Sequence, residues 1–474
     1  MACLIDRLRE LLPGAVVTGP EELDAVRADK SGHRSEGPPL AVVEARETAQ
    51  VQALMRFATA EGVAIVPRGA GTGLAGGAIG GPGQIVLSLA RMDRILELNP
   101  ADELAVVEPG VLNGALNAAA AAHGLRFAPD PASKDISSVG GNIATNAGGL
   151  LCAKYGVTRE AVLGLDVVLA DGRLIRTGHR SIKGVAGYDL TALFVGSEGT
   201  LGVIVGATVR LTPIPSGQLA TVAGVFPDTR AAAAAAAAVT AARLRPAILE
   251  LIDPLGLQRL RAHLPAEAFA GLGMPQGSAA RDGRGPAFLI AQFDDAGALP
   301  AAEQAAALFA QAGGSAALGT DHERGERLLA IRRAFHAALE ATGSVLIEDV
   351  CVPRSALPAM FEAIGRIGQR YGVDIPTVAH AGDGNLHPNF VIPGSAPGAV
   401  TGDAIPAFIW EAAGELFSEA VALGGTLTGE HGVGLLKRRW LAQELGEDAY
   451  ELQRRMRELF DPAGILNPGK VFAG

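Results

Sequence analysis

The sequence predicts an α+β fold divided between two main domains. The chain has 474 residues, enough for two to four domains of ~100–200 residues each. Short apolar runs of strand length alternate with longer segments of helical period, which is typical of a mixed fold. Pro213 and Pro215 interrupt this pattern near the middle of the chain, and we therefore place a domain boundary there.

The first domain is predicted to contain helices and strands in alternation. Thr48 is suited to cap a helix, Gly124 to end one, and Asp171-Gly172 to form a hairpin turn. Residues 129–150 show no period of 2 or 3.6, which predicts irregular backbone. The predicted helices are 3–12, 48–61 and 113–123, and the predicted strands are 38–44, 62–67, 84–89, 104–108, 164–169, 173–177 and 201–211.

The second domain is predicted to place helices over an antiparallel sheet. The alanine run Ala231–Ala238 favours a helix. The predicted strands are 219–226, 247–252 and 287–293, and the predicted helices are 228–243, 299–312, 323–341, 408–423 and 449–459. We expect domains at 1–215 and 216–425, and a segment at 426–474 that docks on the remainder of the chain.

Composition excludes several classes of protein. The net charge of −10 argues against nucleic-acid binding, which requires a basic face. The three cysteines, Cys3, Cys152 and Cys351, lie far apart, so an iron–sulfur cluster or a thiolate zinc site is not expected. The N-terminus is charged and no apolar run reaches 18 residues, so we expect neither a signal peptide nor a membrane span. A cytoplasmic location is expected, with a peripheral place at the inner membrane face as an alternative.

A glycine-rich segment follows the predicted strand 62–67. Gly71 to Gly76 match G-x-G-x-x-G, and Asp93 lies about 20 residues further on, as in a dinucleotide-binding Rossmann site. That site requires a helix directly after the loop, whereas residues 78–83 (AIGGPG) would break one. We therefore expect backbone N–H groups to hold a pyrophosphate. A Rossmann NAD site and a plain tight loop remain the alternatives.

Two further segments are rich in small residues that permit close backbone approach to a ligand. The first is 129–149, and the second is 196–202 (GSEGTLG), with the motif KGVAGYDL at 183–190 between them. Each segment alone is a weak signal. The order of all three glycine-rich segments is more informative than any one of them.

Four polar residues near the C-terminus suggest a metal and acid–base site. His380 and His387 are separated by six intervening residues in a glycine-rich turn, and Glu430 directly precedes His431. Two imidazoles and a carboxylate suit a divalent metal that keeps open positions. Such a metal lowers the pKa of a bound hydroxyl, and a neutral histidine can take the proton. Ordinary histidines near turns are the alternative.

These motifs together resemble the flavin-dependent D-2-hydroxyacid dehydrogenases of the vanillyl-alcohol-oxidase superfamily. That group includes the cytochrome-type D-lactate dehydrogenases, the catalytic subunit of glycolate oxidase and the D-2-hydroxyglutarate dehydrogenases. The resemblance runs from about residue 35 to the end. It implies a two-subdomain FAD-binding domain of the vanillyl-alcohol-oxidase type and an α+β cap domain with an antiparallel sheet.

The resemblance also implies roles for individual residues. The residues implied to bind FAD are Pro67, Arg68, Gly69, Ala70, Gly71, Thr72, Gly73, Leu74, Pro129, Ser133, Gly140, Gly141, Asn142, Thr145, Gly148, Gly149, Glu198, Gly202, Ile204 and Asn467. The implied metal ligands are His380, His387 and Glu430, with zinc first and manganese or iron as alternatives. His431 is the implied base. Because no histidine lies in 68–77, non-covalent FAD is expected.

The substrate implied is a small D-2-hydroxy acid, with D-lactate before glycolate. Arg332 matches the residue that binds the substrate carboxylate, although the register leaves Arg333 as an alternative. A 2-hydroxyglutarate is less favoured, because the hydroxyglutarate branch has basic residues near the position of Ile347. Electrons would pass to a separate quinone, cytochrome, electron-transfer flavoprotein or iron–sulfur subunit. A homodimer is compatible with the resemblance, and a non-catalytic flavin-binding subunit is the competing hypothesis.

Overall fold

The computed structural model describes residues 2–274, 284–396 and 405–472. These residues form two compact units. The first unit contains 1–149, 156–214 and 430–474, and the second contains 150–155 and 215–429. No helix within the described ranges is long and apolar enough to cross a membrane.

The first unit contains two main sheets and several helices. Its strands are β1 (Val16–Val17), β2 (Ala41–Glu44), β3 (Ala64–Arg68), β4 (Gln84–Ser88), β5 (Ile95–Asn99), β6 (Leu104–Val107), β7 (Leu125–Arg126), β8 (Val162–Val168), β9 (Leu174–Gly178), β10 (Val203–Arg210) and β11 (Thr212–Pro213). Its helices are α1 (Ala2–Leu11), α2 (Pro20–Ala25), α3 (Thr48–Glu61), α4 (Asn113–Ala121), α5 (Val139–Thr145), α7 (Thr158–Ala161), α8 (Leu190–Phe194), α16 (Leu441–Leu445) and α17 (Glu447–Phe460). A short 3-10 turn covers Arg438–Trp440.

The smaller sheet of this unit carries the first glycine-rich segment. Strands β2, β4 and β3 run parallel, and β1 joins the edge of β2 antiparallel. Helix α3 connects β2 to β3 and ends at Gly62, whose φ of 66° permits the left-handed turn. Its buried Val51, Leu54 and Met55 belong to the core beneath this sheet. The packing therefore fixes the end of β3, where Pro67 and Arg68 lie.

The larger sheet of the first unit is antiparallel, with strand order β5-β6-β10-β8-β9. Helices α4 and α5 contribute Leu116, Val139 and Ile143 to its core. Strands β7 and β11 form a separate two-stranded ladder.

The second unit has helices over an antiparallel sheet. Its strand order is β15-β12-β14-β13-β18-β19-β16, and β17 also pairs with β19. The strands are β12 (Ala220–Asp228), β13 (Ile248–Ile252), β14 (Arg284–Phe293), β15 (Ala317–Gly319), β16 (Val345–Ile347), β17 (Val350–Cys351), β18 (Thr377–His380) and β19 (Asn385–Val391). The helices are α6 (Cys152–Tyr155), α9 (Thr229–Ala241), α10 (Pro254–His263), α11 (Ala298–Gln311), α12 (His322–Arg333), α13 (Phe335–Glu340), α14 (Leu357–Tyr371) and α15 (Ala407–Ala422), with 3-10 turns at Ala266–Phe269 and Arg354–Ala356.

Three differences from the sequence prediction have physical causes. The segment 129–150 is not irregular throughout, because Ser138 caps the short helix α5 by accepting a hydrogen bond from the Gly141 amide. The predicted helix 323–341 is interrupted at Ala334, where α12 gives way to α13. The prediction omits α14, although its buried residues Leu357, Met360, Phe361, Ile364 and Ile367 recur at helical spacing.

Candidate functional site

The first glycine-rich segment is a loop without a helix. Strand β3 ends at Arg68, and the next regular element is β4 at Gln84. A Rossmann site is therefore excluded, because the loop leads into a strand and does not open a helix. Gly71 and Gly76 have φ values of 71° and 79°, which glycine adopts at little cost.

The first and second glycine-rich segments lie against each other. A Cβ at Gly69 would lie 2.4 Å from Ser138 Oγ and 3.7 Å from the Gly141 Cα. A Cβ at Gly140 would lie 2.9 Å from the Cα and carbonyl oxygen of Pro109. Glycine is thus required on both segments because backbone approaches backbone or a capping side chain.

Asn467 and Glu198 bring the third segment to the first. The Asn467 amide nitrogen donates to the carbonyls of Gly77 at 2.9 Å and of Glu198 at 2.8 Å. Burial raises the pKa of Glu198 to about 7, although its carboxylate accepts hydrogen bonds from the amides of Val433 and Gly434. Glu198 also has a φ of 50°, which a non-glycine residue seldom adopts. The C-terminal tail therefore joins two of the predicted cofactor segments.

The donors of this unit fit a polar cofactor. Within the described residues, the Asn142 amide nitrogen, the Ser137 hydroxyl and the Asn467 amide oxygen are buried without a hydrogen-bond partner. Buried polar groups are normally satisfied, so a ligand with complementary acceptors and donors fits here. Arg68 donates to the Ala78 carbonyl at 2.8 Å, and burial lowers its pKa. FAD, which has a pyrophosphate and a polar ring edge, matches this set.

The other residues implied to bind FAD occupy varied surroundings. Gly202 packs tightly against Val167, and Ile204 belongs to the core of the larger sheet. Thr145 donates to the Gly141 carbonyl at 3.1 Å, and Pro129 accepts from Asn113 at 2.9 Å. The remaining members are partly or fully buried apart from the exposed Ala70, namely Pro67, Gly71, Thr72, Gly73, Leu74, Ser133, Gly148 and Gly149. Their contact with FAD stays a prediction.

The two histidines of the second unit face each other. His380 ends β18 and His387 lies in β19, and the hairpin register pairs His380 with Asn385 and Val378 with His387. The Nε2 atoms of the two imidazoles are 3.1 Å apart. Both residues are buried, at 4% and 5% exposure. The antiparallel pairing, and not a turn alone, therefore brings the two rings together.

Glu250 orients the first of these histidines. It lies in β13, is fully buried, and its carboxylate contacts His380 Nδ1 at 2.5 Å and Arg332 Nε at 2.6 Å. Burial by itself would raise the pKa of Glu250, but the nearby His380 and Arg332 outweigh it and hold that pKa below its usual range. A hydrogen bond at Nδ1 leaves Nε2 as the nitrogen available to a metal.

The structure distinguishes Arg332 from its neighbour. Arg332 is 8% exposed and paired with Glu250, whereas Arg333 pairs with Glu326 and keeps 54% of its side chain exposed. Arg332 is therefore the arginine associated with the histidines.

Glu430 directly follows Gly429 of the second unit. It is partly buried and begins the last segment of the first unit. His431 Nε2 lies 3.9 Å from the Glu430 carboxylate.

Sequence reasoning missed Glu250 and Asn385. Glu250 is the charged residue within the apolar strand Ile248–Ile252, and a carboxylate in such a strand is rarely buried unless it is paired. Asn385 lies between the histidines at 5% exposure, and its amide oxygen has no hydrogen-bond partner among the described residues. The apolar strand around Glu250 was the available signal for that residue.

The fold and its loops define a class of FAD-linked oxidoreductases, and comparisons with known proteins agree. Residues 39–178 match the family model "FAD binding domain", and residues 218–471 match "FAD linked oxidases, C-terminal domain". The chain resembles p-cresol methylhydroxylase, with a TM-score of 0.74 at 19% identity over 100% of this chain and 97% of the other. It also resembles 4-ethylphenol oxidase from Gulosibacter chungangensis, with a TM-score of 0.72 at 20% identity over 99% and 97%. At such identities these similarities show the fold alone.

Sequence relatives give the family. The chain is 37% identical to the glycolate oxidase subunit GlcD of Bacillus subtilis, over 96% of this chain and 95% of that protein. It is 35% identical to a D-lactate dehydrogenase of Archaeoglobus fulgidus over 91% and 90%. It is 33% identical to a D-2-hydroxyglutarate dehydrogenase of Stutzerimonas stutzeri over 99% and 99%. The chain belongs to the FAD-linked D-2-hydroxyacid dehydrogenase and glycolate oxidase family, and it is an enzyme of that family.

Proposed function

We propose that the chain oxidises a small D-2-hydroxy acid to the 2-oxo acid, with D-lactate as the first candidate and glycolate as the second. The observation that carries the proposal is the buried pair His380 and His387, with Nε2 atoms 3.1 Å apart and Glu250 behind His380. Two buried imidazoles with a carboxylate partner are typical of a metal site. Bound FAD would supply the acceptor for the hydride that leaves the α-carbon.

His380, His387 and Glu430 would hold a divalent metal, with zinc first and manganese or iron as alternatives. Their donors are two nitrogens and an oxygen, a set that leaves positions open for substrate. The metal would supply Lewis-acid chemistry that favours loss of the hydroxyl proton. Glu250 supports this by accepting from His380 Nδ1.

His431 would take the hydroxyl proton and Arg332 would bind the substrate carboxylate. His431 Nε2 lies 3.9 Å from the Glu430 carboxylate, beside the proposed ligand. Of the Arg332 donors, Nε is engaged by Glu250, and the guanidinium nitrogens beyond it suit a carboxylate. The substrate thus loses one proton from oxygen and one hydride from carbon, which accounts for both electrons.

The proposal includes non-covalent FAD and a separate electron acceptor. Loop residues 68–77 contain no histidine for covalent attachment, and the chain contains no CxxCH haem motif or cluster-ligand motif. A quinone, a cytochrome, an electron-transfer flavoprotein or an iron–sulfur subunit would therefore take the electrons. The domain roles proposed are FAD binding by 1–215, substrate binding by 216–425, and a contribution from 426–474 to both.

An anaerobic titration tests the proposal. The metal-replete flavoprotein is mixed separately with D-lactate, L-lactate, glycolate and D-2-hydroxyglutarate, and the visible flavin absorbance is followed. We expect bleaching by D-lactate and not by L-lactate. Faster bleaching by glycolate or D-2-hydroxyglutarate would replace D-lactate as the substrate. Bleaching by none of them, with FAD bound, would favour the non-catalytic subunit and overturn the proposal.

A matched pair of variants tests the proposed base. His431→Ala should retain FAD and lose flavin reduction by about 10²–10⁴-fold, the usual contribution of general base catalysis. His123→Ala is the control, because His123 is exposed and is not among the residues proposed to bind FAD, metal or substrate. Equal reduction rates in the two variants would exclude His431 as the base.

A further inference from the structure

The segment 428–434 (TGEHGVG), here called the catalytic loop, carries both Glu430 and His431. We propose that two buried carboxylates, Asp349 and Glu198, are positioning residues that fix the two ends of this loop. The inference rests on the proposed function, which gives Glu430 and His431 their roles. Neither carboxylate would touch the substrate.

Asp349 holds the start of the catalytic loop. It is fully buried, and its Oδ2 accepts a hydrogen bond from the Thr428 hydroxyl at 2.6 Å and from the Gly429 amide at 2.9 Å. An isolated bridge between Cys351 and Thr426 ties the residues before the loop to β17, which begins directly after Asp349. The residue next to Gly429 is Glu430, so Asp349 fixes the backbone immediately before the proposed metal ligand.

Glu198 holds the end of the catalytic loop. It is 8% exposed, its Oε1 accepts from the Val433 amide at 2.7 Å, and its Oε2 accepts from the Gly434 amide at 2.9 Å. A Cβ at Gly432 would lie 3.0 Å from Glu198 Oε1. Glu198 therefore fixes the backbone two residues after the proposed base His431.

The catalytic loop lacks regular secondary structure, so side-chain hydrogen bonds contribute to the order of its backbone. No helix or strand covers it, and Gly432 and Gly434 have φ values of 86° and 49°. Glycine-rich backbone loses much conformational freedom when it is ordered. Glu198 accepts at both oxygens, so glutamine would turn one of them into a donor that faces an N–H group. Asp349 accepts both of its bonds at Oδ2, so asparagine would keep an acceptor there but lose the charge assistance that strengthens both bonds. The acceptor strength of Asp349 Oδ2 and the second acceptor oxygen of Glu198 are therefore the features to test.

The test compares Asp349→Asn and Glu198→Gln with the control Asp253→Asn. Asp253 is also a buried carboxylate, 6% exposed, and accepts from the Gly256 amide at 2.7 Å, but it caps α10 instead of the catalytic loop. Three quantities are measured on the flavin-loaded proteins: amide hydrogen exchange across 428–434, zinc affinity, and the rate of flavin reduction by the best substrate.

The two variants should separate metal binding from proton transfer. Asp349→Asn should weaken zinc binding by about 10–100-fold, as loss of a supporting hydrogen bond does at metal sites. Glu198→Gln should slow flavin reduction by about 10²-fold, the cost of a ~1 Å misplacement of a reacting group, with zinc affinity within about 3-fold of wild type. Both should accelerate exchange in the catalytic loop, and Asp253→Asn should change none of the three.

Two outcomes would overturn the inference. One is catalytic-loop exchange in both variants equal to that of the control. The other is an equal loss of zinc binding and reduction in all three variants, which would indicate general destabilisation. If Asp349→Asn does not fold, Thr428→Val is used in its place. It removes the hydroxyl that donates to Asp349 and leaves the buried carboxyl group unchanged, and it should show the same loss of zinc affinity.

Failure of the proposed function would be distinguishable from failure of the inference. A wild-type protein that binds no zinc and reduces no hydroxy acid contradicts the proposed roles of Glu430 and His431. Hydrogen exchange in 428–434 would still report whether Asp349 and Glu198 order the catalytic loop.

Discussion

Replacement of Glu250 by glutamine should damage both the metal site and the fold. Glu250 accepts from His380 Nδ1 and Arg332 Nε at 2.5 and 2.6 Å and is fully buried. Glutamine has one acceptor oxygen, so its amide group would face the N–H of either His380 or Arg332. Arg332, at 8% exposure, would also lose the charge that compensates its own.

Two magnitudes follow from this geometry. Removal of one partner of a buried ion pair costs about 3–5 kcal/mol of unfolding free energy. Loss of the hydrogen bond behind a metal-binding histidine costs about 10–100-fold in metal affinity. A suitable control is Glu362→Gln, because Glu362 and its partner Arg230 are 51% and 76% exposed, and such surface pairs contribute only about 0–1 kcal/mol.

Two measurements check the prediction for Glu250. Denaturant unfolding gives the change in stability, and competition with a chelator gives the zinc dissociation constant. Glu250→Gln with the stability and zinc affinity of Glu362→Gln would refute the role assigned to Glu250. A loss of stability with unchanged zinc affinity would leave Glu250 as a structural partner of Arg332 alone.

Three other perturbations have expected outcomes. Burial raises the pKa of Asp253 from 3.8 to about 7. The folded state therefore holds this proton more tightly than the unfolded state, so the contribution of Asp253 to stability is fully present below pH 3.8 and is lost as the pH rises through about 7. Asp253→Asn should remove up to ~4 kcal/mol of this pH dependence in unfolding experiments. Gly140→Ala should weaken FAD retention after desalting, because a Cβ at Gly140 would lie 2.9 Å from backbone atoms. Gly297→Ala is the control and should retain FAD, because the nearest atom to a Cβ there would lie at 3.6 Å. Arg332→Lys should raise KM for the hydroxy acid about 10-fold or more through loss of bidentate binding. The half-exposed Arg333 should tolerate the same change. Equal KM values for Arg332→Lys and Arg333→Lys would exclude Arg332 from substrate binding.

Local sequence signals predicted much of the fold. Helix α3 and strand β4 were predicted because their apolar residues recur with a regular period and capping or turn residues bound them. The break in 323–341 at Ala334 was not predictable, because the same helical period continues on both sides of it. The helix at 139–145 was hidden by its glycines, and the Ser138 cap that stabilises it acts over only three residues.

The sequence by itself determined the chemistry available to this protein: three glycine-rich segments, two histidines with six residues between them, and an adjacent glutamate and histidine. Only the tertiary structure decided which side chains support them. Glu250 reaches His380 across 130 positions and Glu198 reaches Val433 across 235. Tertiary packing likewise placed Arg332, and not Arg333, beside Glu250. The physical reason is that a motif is specified by local residue types, whereas the partner of a buried charge is selected by strand pairing and packing between distant parts of the chain.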